Sequence, residues 1–127
     1  MIDYVLDASA LLALVNRETA AEKVAEVLPQ SMMSSVSVSE CVAVLSMIGM
    51  PHDEIEDMLF DLVPHVEDFT VEQALEAAYL RKITKSKGLS LGDRACIALG
   101  KTSGKIVITA DKIWDSIDCG VKIKVIR

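Results

Sequence analysis

Four acidic residues follow strand-like or helix-opening segments of this 127-residue sequence, at positions that could support metal chemistry. Asp7 ends the run I-D-Y-V-L-D, and Asp111 follows the apolar run K-I-V-I-T-A. Glu40 and Asp93 each stand three residues after a serine, the spacing of a helix-opening capping box. Because the carboxyl ends of parallel strands lie at one edge of a sheet, the four carboxylates are predicted to meet in one cleft.

Each acid also has a purely structural interpretation, as an N-cap or as a first-turn charge favoured by the helix dipole. That interpretation does not predict their joint placement. Two carboxylates about 6 Å apart would repel by roughly 3 kcal/mol at an effective dielectric near 20. One or two divalent cations would relieve this repulsion, and oxygen ligands without His or Cys favour Mg²⁺ or Mn²⁺ over Zn²⁺. Carboxylate-held Mg²⁺ supports phosphodiester hydrolysis.

Alternating strand and helix patterns would position these acids. The predicted strands are the opening run that ends at Asp7 and residues 32–35, 65–69, 105–109 and 122–126. The predicted helices are residues 8–15, residues 19–28, one opened by the capping box Ser37 to Glu40 and ended by Gly49, one between Pro51 and Pro64, residues 70–87, and one opened by Ser90. This alternation predicts a single α/β domain over residues 1–127 with a mainly parallel sheet.

Several of the predicted helices carry apolar stripes at helical spacing. In the helix between Pro51 and Pro64 the stripe is Ile55, Met58, Leu59, Leu62 and Val63, which we assign to the core, with an interface as the alternative. In the helix at residues 70–87 the predicted inward residues are Val71, Ala74, Leu75, Ala78 and Tyr79. Residues 105–109 are typical of a strand buried on both faces, and residues 122–126 of an edge strand.

The overall charge of −6 argues against a nucleic-acid partner, but the distribution qualifies that argument. Between residues 81 and 105 the only acid is Asp93. The basic residues in this zone are Arg81, Lys82, Lys85, Lys87, Arg94, Lys101 and Lys105. A basic zone beside an acidic site suits a phosphodiester substrate, because phosphate contacts position the strand. An ordinary solvated helix face is the alternative.

The remaining composition indicates a protein of the cell interior. The three cysteines, Cys41, Cys96 and Cys119, form no CxxC pair and lie among apolar neighbours, which predicts buried, inert thiols. No apolar run reaches the roughly 18 residues of a membrane span. The N-terminal residues include acids but no basic region, so neither a signal peptide nor a membrane partner is expected, and the expected location is cytoplasmic. His52 and His65 have no partner at ligand spacing.

Four blocks of the sequence together resemble a PIN domain, most closely the VapC-type toxins of prokaryotic toxin–antitoxin pairs. They are D-A-S-A-L-L-A-L, V-S-V-S-E-C, L-S-L-G-D-R-A-C-I-A-L-G and V-I-T-A-D-K-I-W. The resemblance runs the length of the chain and keeps the order of the acids, and the L-S-L-G-D-R-A block is its most specific part.

The resemblance implies a three-layer fold, with a five-stranded parallel sheet in the order 3-2-1-4-5 between helices. It implies an endoribonuclease that depends on one or two Mg²⁺ or Mn²⁺ ions, an RNA substrate cut to leave a 5′-phosphate, and an antitoxin partner; a homodimer is the expected assembly. Matched by position, the catalytic and metal-binding acids would be Asp7, Glu40, Asp93 and Asp111. Thr109 and Ser9 match small polar positions of the site, Asp115 is a possible outer acid, and Arg94 would contact the RNA backbone.

Two other folds that gather acids at strand ends fit the sequence less well. A receiver domain would need an adjacent acidic pair after the first strand, where Ala8 follows Asp7, and a haloacid-dehalogenase-type phosphatase would need an acid at Ser9. A non-catalytic RNA- or protein-binding module on the same fold is a stronger alternative, since fold does not fix function. A PIN nuclease of rRNA or tRNA processing is a further alternative.

Overall fold

The computed structural model describes residues 1–126, and within them five parallel strands form one sheet in the order β3-β2-β1-β4-β5. The strands are β1 (Tyr4–Leu6), β2 (Ser31–Ser34), β3 (Val66–Glu67), β4 (Ile106–Thr109) and β5 (Ile123–Val125). The predicted α/β class and strand order are confirmed. Both edge strands are short, and the edge position predicted for residues 122–126 is confirmed.

Helices cover both faces of the sheet. They are α1 (Ala8–Val15), α2 (Ala21–Val27), α3 (Ser35–Met47), α4 (His52–Leu62), α5 (Val71–Thr84) and α6 (Leu91–Ser103). Short 3₁₀ turns follow α2, α5 and β4, at Leu28–Gln30, Lys85–Lys87 and Lys112–Ser116.

The alternating side chains of the central strands separate two cores. Leu6 and Ile108 point into a core shared with α1 to α4, whereas Val5 and Val107 point into a core shared with α5, α6 and Trp114. The result is the expected three-layer arrangement of helices, sheet and helices.

The register of the two central strands brings one pair of strand ends together. Leu6 of β1 pairs with Ile108 of β4, and the Asp7 amide donates to the Ile108 carbonyl at 2.9 Å. Asp7 therefore lies beside the residues that follow Ile108, including Thr109 and Asp111. This edge of the sheet is the one at which the sequence predicted a site.

The third helix begins earlier than predicted. Strand β2 already ends at Ser34, whose hydroxyl accepts from the Val36 amide at 3.2 Å and caps α3. Ser37 lies inside the helix and is fully buried. The predicted capping box of Ser37 and Glu40 is therefore wrong, because the cap is made one turn earlier and Glu40 lies in the second turn.

The inward face of α5 also differs from the prediction. Its buried residues are Gln73, Ala77, Leu80 and Thr84. Val71, Leu75 and Tyr79 are instead 79%, 51% and 68% exposed, and Ala78 is exposed as well. The error arises because α5 packs against the core beside α6 through the face that carries Ala77 and Leu80, and leaves the stripe of larger apolar residues outside.

Other predicted features are confirmed. Ile55, Leu59 and Val63 are buried, so this side of the α4 stripe belongs to the core. The three cysteines are buried free thiols. Among the described residues, none of the helices combines the length and apolar character that crossing a membrane requires.

Candidate active site

Asp7 lies at the carboxyl end of β1, and its side chain is only 2% exposed. It occupies the N-cap position of α1 by backbone conformation, but its side chain makes no capping hydrogen bond. The alternative that Asp7 merely caps the helix is therefore not supported. A buried carboxylate that does not cap a helix needs another reason for its position.

Two hydroxyl groups hold one oxygen of Asp7. Ser9 donates to Asp7 Oδ2 at 2.6 Å, and Thr109, from the end of β4, donates to the same oxygen at 3.0 Å. These hydroxyls are themselves fixed, because Ser9 Oγ accepts from the Ala110 amide at 3.2 Å and Thr109 Oγ1 accepts from the Asp111 amide at 3.1 Å. Within residues 1–126, Asp7 Oδ1 is buried and makes no hydrogen bond. One oxygen is thus anchored and the other is left free.

The surroundings of Asp7 oppose its ionisation. The pKa of Asp7 is raised to about 6, mainly by burial and also by the nearby charge of Asp93, although hydrogen bonds from Ser9, Thr109 and the Ala8 backbone act in the opposite direction. An acid held in this way gains stability from a proton or from a cation.

Glu40 projects from the second turn of α3 towards the same place. Burial, followed by the charges of Asp93 and Asp7, raises the pKa of Glu40 to about 7. Its Oε1 atom is buried without a hydrogen-bond partner in the described part of the chain. The carboxylate lies directly against the backbone of Gly92, where a Cβ atom would overlap it.

Asp93 lies in the first turn of α6 and also caps that helix. Its Oδ2 accepts from the Ser90 amide at 2.9 Å, and Ser90 Oγ accepts from the Asp93 amide at 3.1 Å, which completes the predicted capping box. Its charge also raises the pKa of Asp7 and Glu40. The structure therefore brings these three acids into electrostatic contact.

Asp111 is placed differently from the other acids. It is exposed, and its Oδ1 accepts from the Ile113 amide at 3.1 Å, which caps the 3₁₀ turn Lys112–Ser116. Its charge is not among those that raise the pKa of Asp7 or Glu40. It is connected to the site through the hydrogen bond of its amide to Thr109. Asp115 is exposed within the same turn.

Arg94 is partly committed to helix packing. Its Nη1 donates to the Ala77 carbonyl of α5 at 2.9 Å, and its Nε is buried without a partner among the described residues. The side chain therefore ties the start of α6 to the middle of α5. Its predicted contact with an RNA backbone would depend on the remaining donors of the guanidinium group.

The donor set fits a hard divalent cation by its chemistry. Asp7 Oδ1 and Glu40 Oε1 are buried acceptors without hydrogen bonds in residues 1–126, and both acids are held in environments that oppose a bare negative charge. Oxygen donors of this kind suit Mg²⁺ or Mn²⁺. In the described chain, however, no three His, Cys, Asp or Glu side chains are arranged to hold an ion as they stand. Binding by three protein carboxylates at once would require movement of at least one side chain.

Gly92 is the residue of this site that the sequence reasoning did not single out. The available signal was a glycine in the first turn of a helix, within the L-S-L-G-D-R-A block, where helix propensity disfavours it.

The fold is shared with several solved structures. A toxin–antitoxin complex from Klebsiella pneumoniae superposes with a TM-score of 0.75 and 18% identity, covering 96% of each chain. VapBC2 from Rickettsia felis, bound to a DNA fragment from its promoter, gives 0.76 and 16% identity over 100% of each chain. VapC20 from Mycobacterium tuberculosis, a toxin that cleaves the sarcin–ricin loop, gives 0.72 and 16% identity over 93% of this chain and 98% of that one. At these identities the similarity establishes the fold.

Sequence comparison assigns the family. No curated protein matches the chain significantly. The model of the PIN domain family matches residues 4–118, which include Asp7, Glu40, Asp93 and Asp111. The chain therefore belongs to the PIN domain family.

Proposed function

We propose that this protein is an endoribonuclease that requires Mg²⁺ or Mn²⁺ to hydrolyse RNA phosphodiester bonds, and that it is the toxin of a toxin–antitoxin pair. The observation that carries the proposal is the buried Oδ1 of Asp7, which has no hydrogen-bond partner within residues 1–126. Such an atom is costly to bury unless something binds it. The charge of Asp93 raises the pKa of this carboxyl, and the charge of Asp7 in turn raises the pKa of Glu40.

Asp7, Glu40 and Asp93 would hold the cation, with Asp111 completing the site from the end of β4. A divalent cation there would neutralise the carboxylates, polarise the scissile phosphate and promote ionisation of the attacking water. Ser9 and Thr109 hold Asp7 Oδ2, which keeps Oδ1 directed away from these hydroxyls.

The RNA backbone would contact basic side chains at the end of α5 and in the turn that follows it. Arg81 and Lys82 lie in the last turn of α5, and Lys85 and Lys87 in the 3₁₀ turn that leads towards Ser90. This placement brings part of the predicted basic zone to the edge of the sheet that carries Asp93. Lys101 pairs with Glu76 at 3.2 Å, further along α6, so it is a weaker candidate.

The proposed partners are an antitoxin protein and a second copy of the chain, and the proposed place of action is the cytoplasm. Solved structures with this fold include toxin–antitoxin complexes, which supports an antitoxin partner. The exposed stripe of Val71, Leu75 and Tyr79 on α5 supports self-association, since large apolar side chains in a row mark interaction surfaces.

The test of the catalytic proposal is an RNA cleavage assay of wild type, Asp7→Asn and Asp3→Asn. We expect cleavage by the wild type with Mg²⁺ or Mn²⁺, none after chelation with EDTA, and none by Asp7→Asn. Asp3→Asn is the matched control, because Asp3 precedes the same strand at its opposite end and should retain full activity. Unchanged cleavage by a folded Asp7→Asn protein would refute the assignment.

A metal titration separates an enzyme from a non-catalytic binding module. A cation that binds the native state must raise the melting temperature, so Mn²⁺ should stabilise the wild type but not Asp7→Asn. A wild type that shows neither a Mn²⁺-dependent shift nor RNA cleavage would instead support the binding-module alternative.

The toxin assignment and the dimer have separate tests. Expression of the chain alone should arrest growth, and co-expression of a neighbouring small gene should relieve the arrest; growth without arrest would favour a role in RNA processing.

Light scattering should give twice the monomer mass for the wild type and the monomer mass for Leu75→Lys. A monomeric wild type would rule out the dimer.

A further inference from the structure

Gly92 is a buried glycine in the first turn of α6, next to the Glu40 carboxylate. A Cβ atom built on Gly92 would overlap the carboxylate carbon and both oxygens of Glu40. The glycines that adopt a left-handed backbone conformation are Gly49, Gly88, Gly104 and Gly120, and Gly92 is not among them. Its backbone therefore does not demand a glycine, and the reason for one lies in the space that a side chain would take.

We infer that Gly92 is a positioning residue for Glu40, because the carboxylate of Glu40 occupies the volume that any side chain at residue 92 would fill. The inference deepens the function proposed above and rests on it where it concerns the metal site.

The capping box fixes the position of Gly92, and so of the carboxylate that rests on it, relative to Asp93. Ser90 and Asp93 exchange two hydrogen bonds, which fix the first turn of α6 as a rigid unit. Gly92 and Asp93 are neighbours in that unit, so a carboxylate that rests on Gly92 is held at a set distance from Asp93. Arg94 ties the same turn to the Ala77 carbonyl of α5, which limits its movement.

A methyl group at residue 92 would move Glu40 rather than unfold the protein. The atoms that it would meet are the far end of a flexible side chain, which can swing aside. Alanine is also the better helix former. We therefore expect Gly92→Ala to keep the melting temperature of the metal-free protein near that of the wild type and to displace the Glu40 carboxylate.

Gly100 provides a matched control in the same helix. A Cβ atom there would meet Val107 Cγ2, in the core beneath α6, so Gly100→Ala should lower the melting temperature without reaching Glu40. Both substitutions replace glycine by alanine in the same helix. Gly92→Ala is predicted to change the position of the Glu40 carboxylate, and Gly100→Ala is predicted to change the stability.

The first experiment measures Mn²⁺ affinity by calorimetry for wild type, Gly92→Ala, Glu40→Ala, the double variant Gly92→Ala/Glu40→Ala and Gly100→Ala. We expect Gly92→Ala to weaken Mn²⁺ binding at least about tenfold, as loss of a supporting group does. The double variant should bind no more weakly than Glu40→Ala, and Gly100→Ala should bind like the wild type. Wild-type affinity in Gly92→Ala, or additive losses in the double variant, would overturn the inference.

A second measurement needs no metal and so separates failure of this inference from failure of the proposed function. The titration of the Glu40 carboxyl carbon can be followed by NMR in the metal-free protein. In Gly92→Ala its midpoint should move towards the ordinary glutamate range, because the displaced carboxylate is better solvated, and in Gly100→Ala it should stay in place. An unmoved midpoint in Gly92→Ala would refute the inference even if the protein binds Mn²⁺ and cleaves RNA. A wild type without Mn²⁺ binding would leave this titration as the deciding test.

Discussion

The starts of helices α3 and α6 contain the same pattern, a serine followed three residues later by an acid. The residues are Ser37 and Glu40 in one helix and Ser90 and Asp93 in the other. In α6 the pattern forms a capping box, with both reciprocal hydrogen bonds present. In α3 it does not, because the helix begins three residues earlier, after Ser34.

The difference decides what each acid is free to do. The carboxylate of Asp93 has two roles, because it accepts the Ser90 amide in the cap of α6 and its charge raises the pKa of Asp7. Glu40 has no capping role, and one of its oxygens is buried without a hydrogen bond in the described part of the chain. One acid therefore supports both fold and site, whereas the other is held at the site alone. Substitutions can test this division of roles.

The largest expected effect is on RNA cleavage. Glu40→Ala and Asp93→Ala should each reduce cleavage at least about 100-fold, the upper range reported for groups that support a metal site. Only Asp93→Ala should also lower the free energy of unfolding, by about 1 kcal/mol, because it removes an acceptor of the capping box. Cleavage assays and urea denaturation of both variants would measure this. Equal losses of stability would contradict the division of roles.

The next effect concerns pH. The pKa of Glu40 is raised to about 7 from an ordinary 4.5, and that of Asp7 to about 6 from 3.8, so the folded protein binds more protons than the unfolded chain between pH 4 and 7. The contribution of these two groups to stability is therefore greatest below this window and is lost as the pH rises through it. In the metal-free protein, Glu40→Gln should remove the part of this fall in stability that comes from ionisation of Glu40.

The difference between Glu40→Gln and wild type measures this contribution. At pH 8 the variant should be more stable by about 2 kcal/mol, a value reduced from the full shift because Glu40 is only partly buried. At pH 4 the two proteins should be equally stable. Urea denaturation at both pH values, in the presence of EDTA, would check the prediction, and an equal gain at pH 4 would assign it to packing rather than to charge.

The capping serines give a smaller effect. Ser90→Ala and Ser34→Ala should each lower the free energy of unfolding by about 1 kcal/mol, the usual cost of losing an N-cap hydroxyl. The two hydrogen bonds at risk are those to the Asp93 and Val36 amides, at 3.1 and 3.2 Å. Thermal unfolding monitored by circular dichroism would detect both changes. A loss in only one variant would show that the two helices do not depend on their caps alike.

Much of the fold could be predicted from the sequence because strong local patterns agree with the tertiary structure. The apolar run of β4 and the alternation of strands with helices both follow from local residue types. The face of α5 that packs against the core could not be predicted in this way. Helical spacing identified the stripe with Leu75 and Tyr79, but only the packing of Ala77 shows which stripe faces the core.

The candidate site was predictable to a similar extent. The position of Asp7 followed from its strand end, and the contacts of Ser9 and Thr109 with it add detail to residues already selected. The lack of a side chain at Gly92 acquires meaning only when Glu40 is seen to lie against it. That contact joins two elements far apart in sequence, so no local pattern contains it. The exposed position of Asp111 likewise depends on the 3₁₀ turn that it caps.

The smallest expected effect provides the most direct test of the comparison. Ser37 is fully buried, and its hydroxyl has no hydrogen-bond partner within residues 1–126. Ser37→Ala should therefore change the free energy of unfolding by less than about 0.5 kcal/mol, because no hydrogen bond is lost and an unpaired buried hydroxyl is removed. Ser34→Ala is the control with a working cap. A loss near that of Ser34→Ala would mean that Ser37 caps the helix after all, and Glu40 would then be drawn into the cap and away from the site.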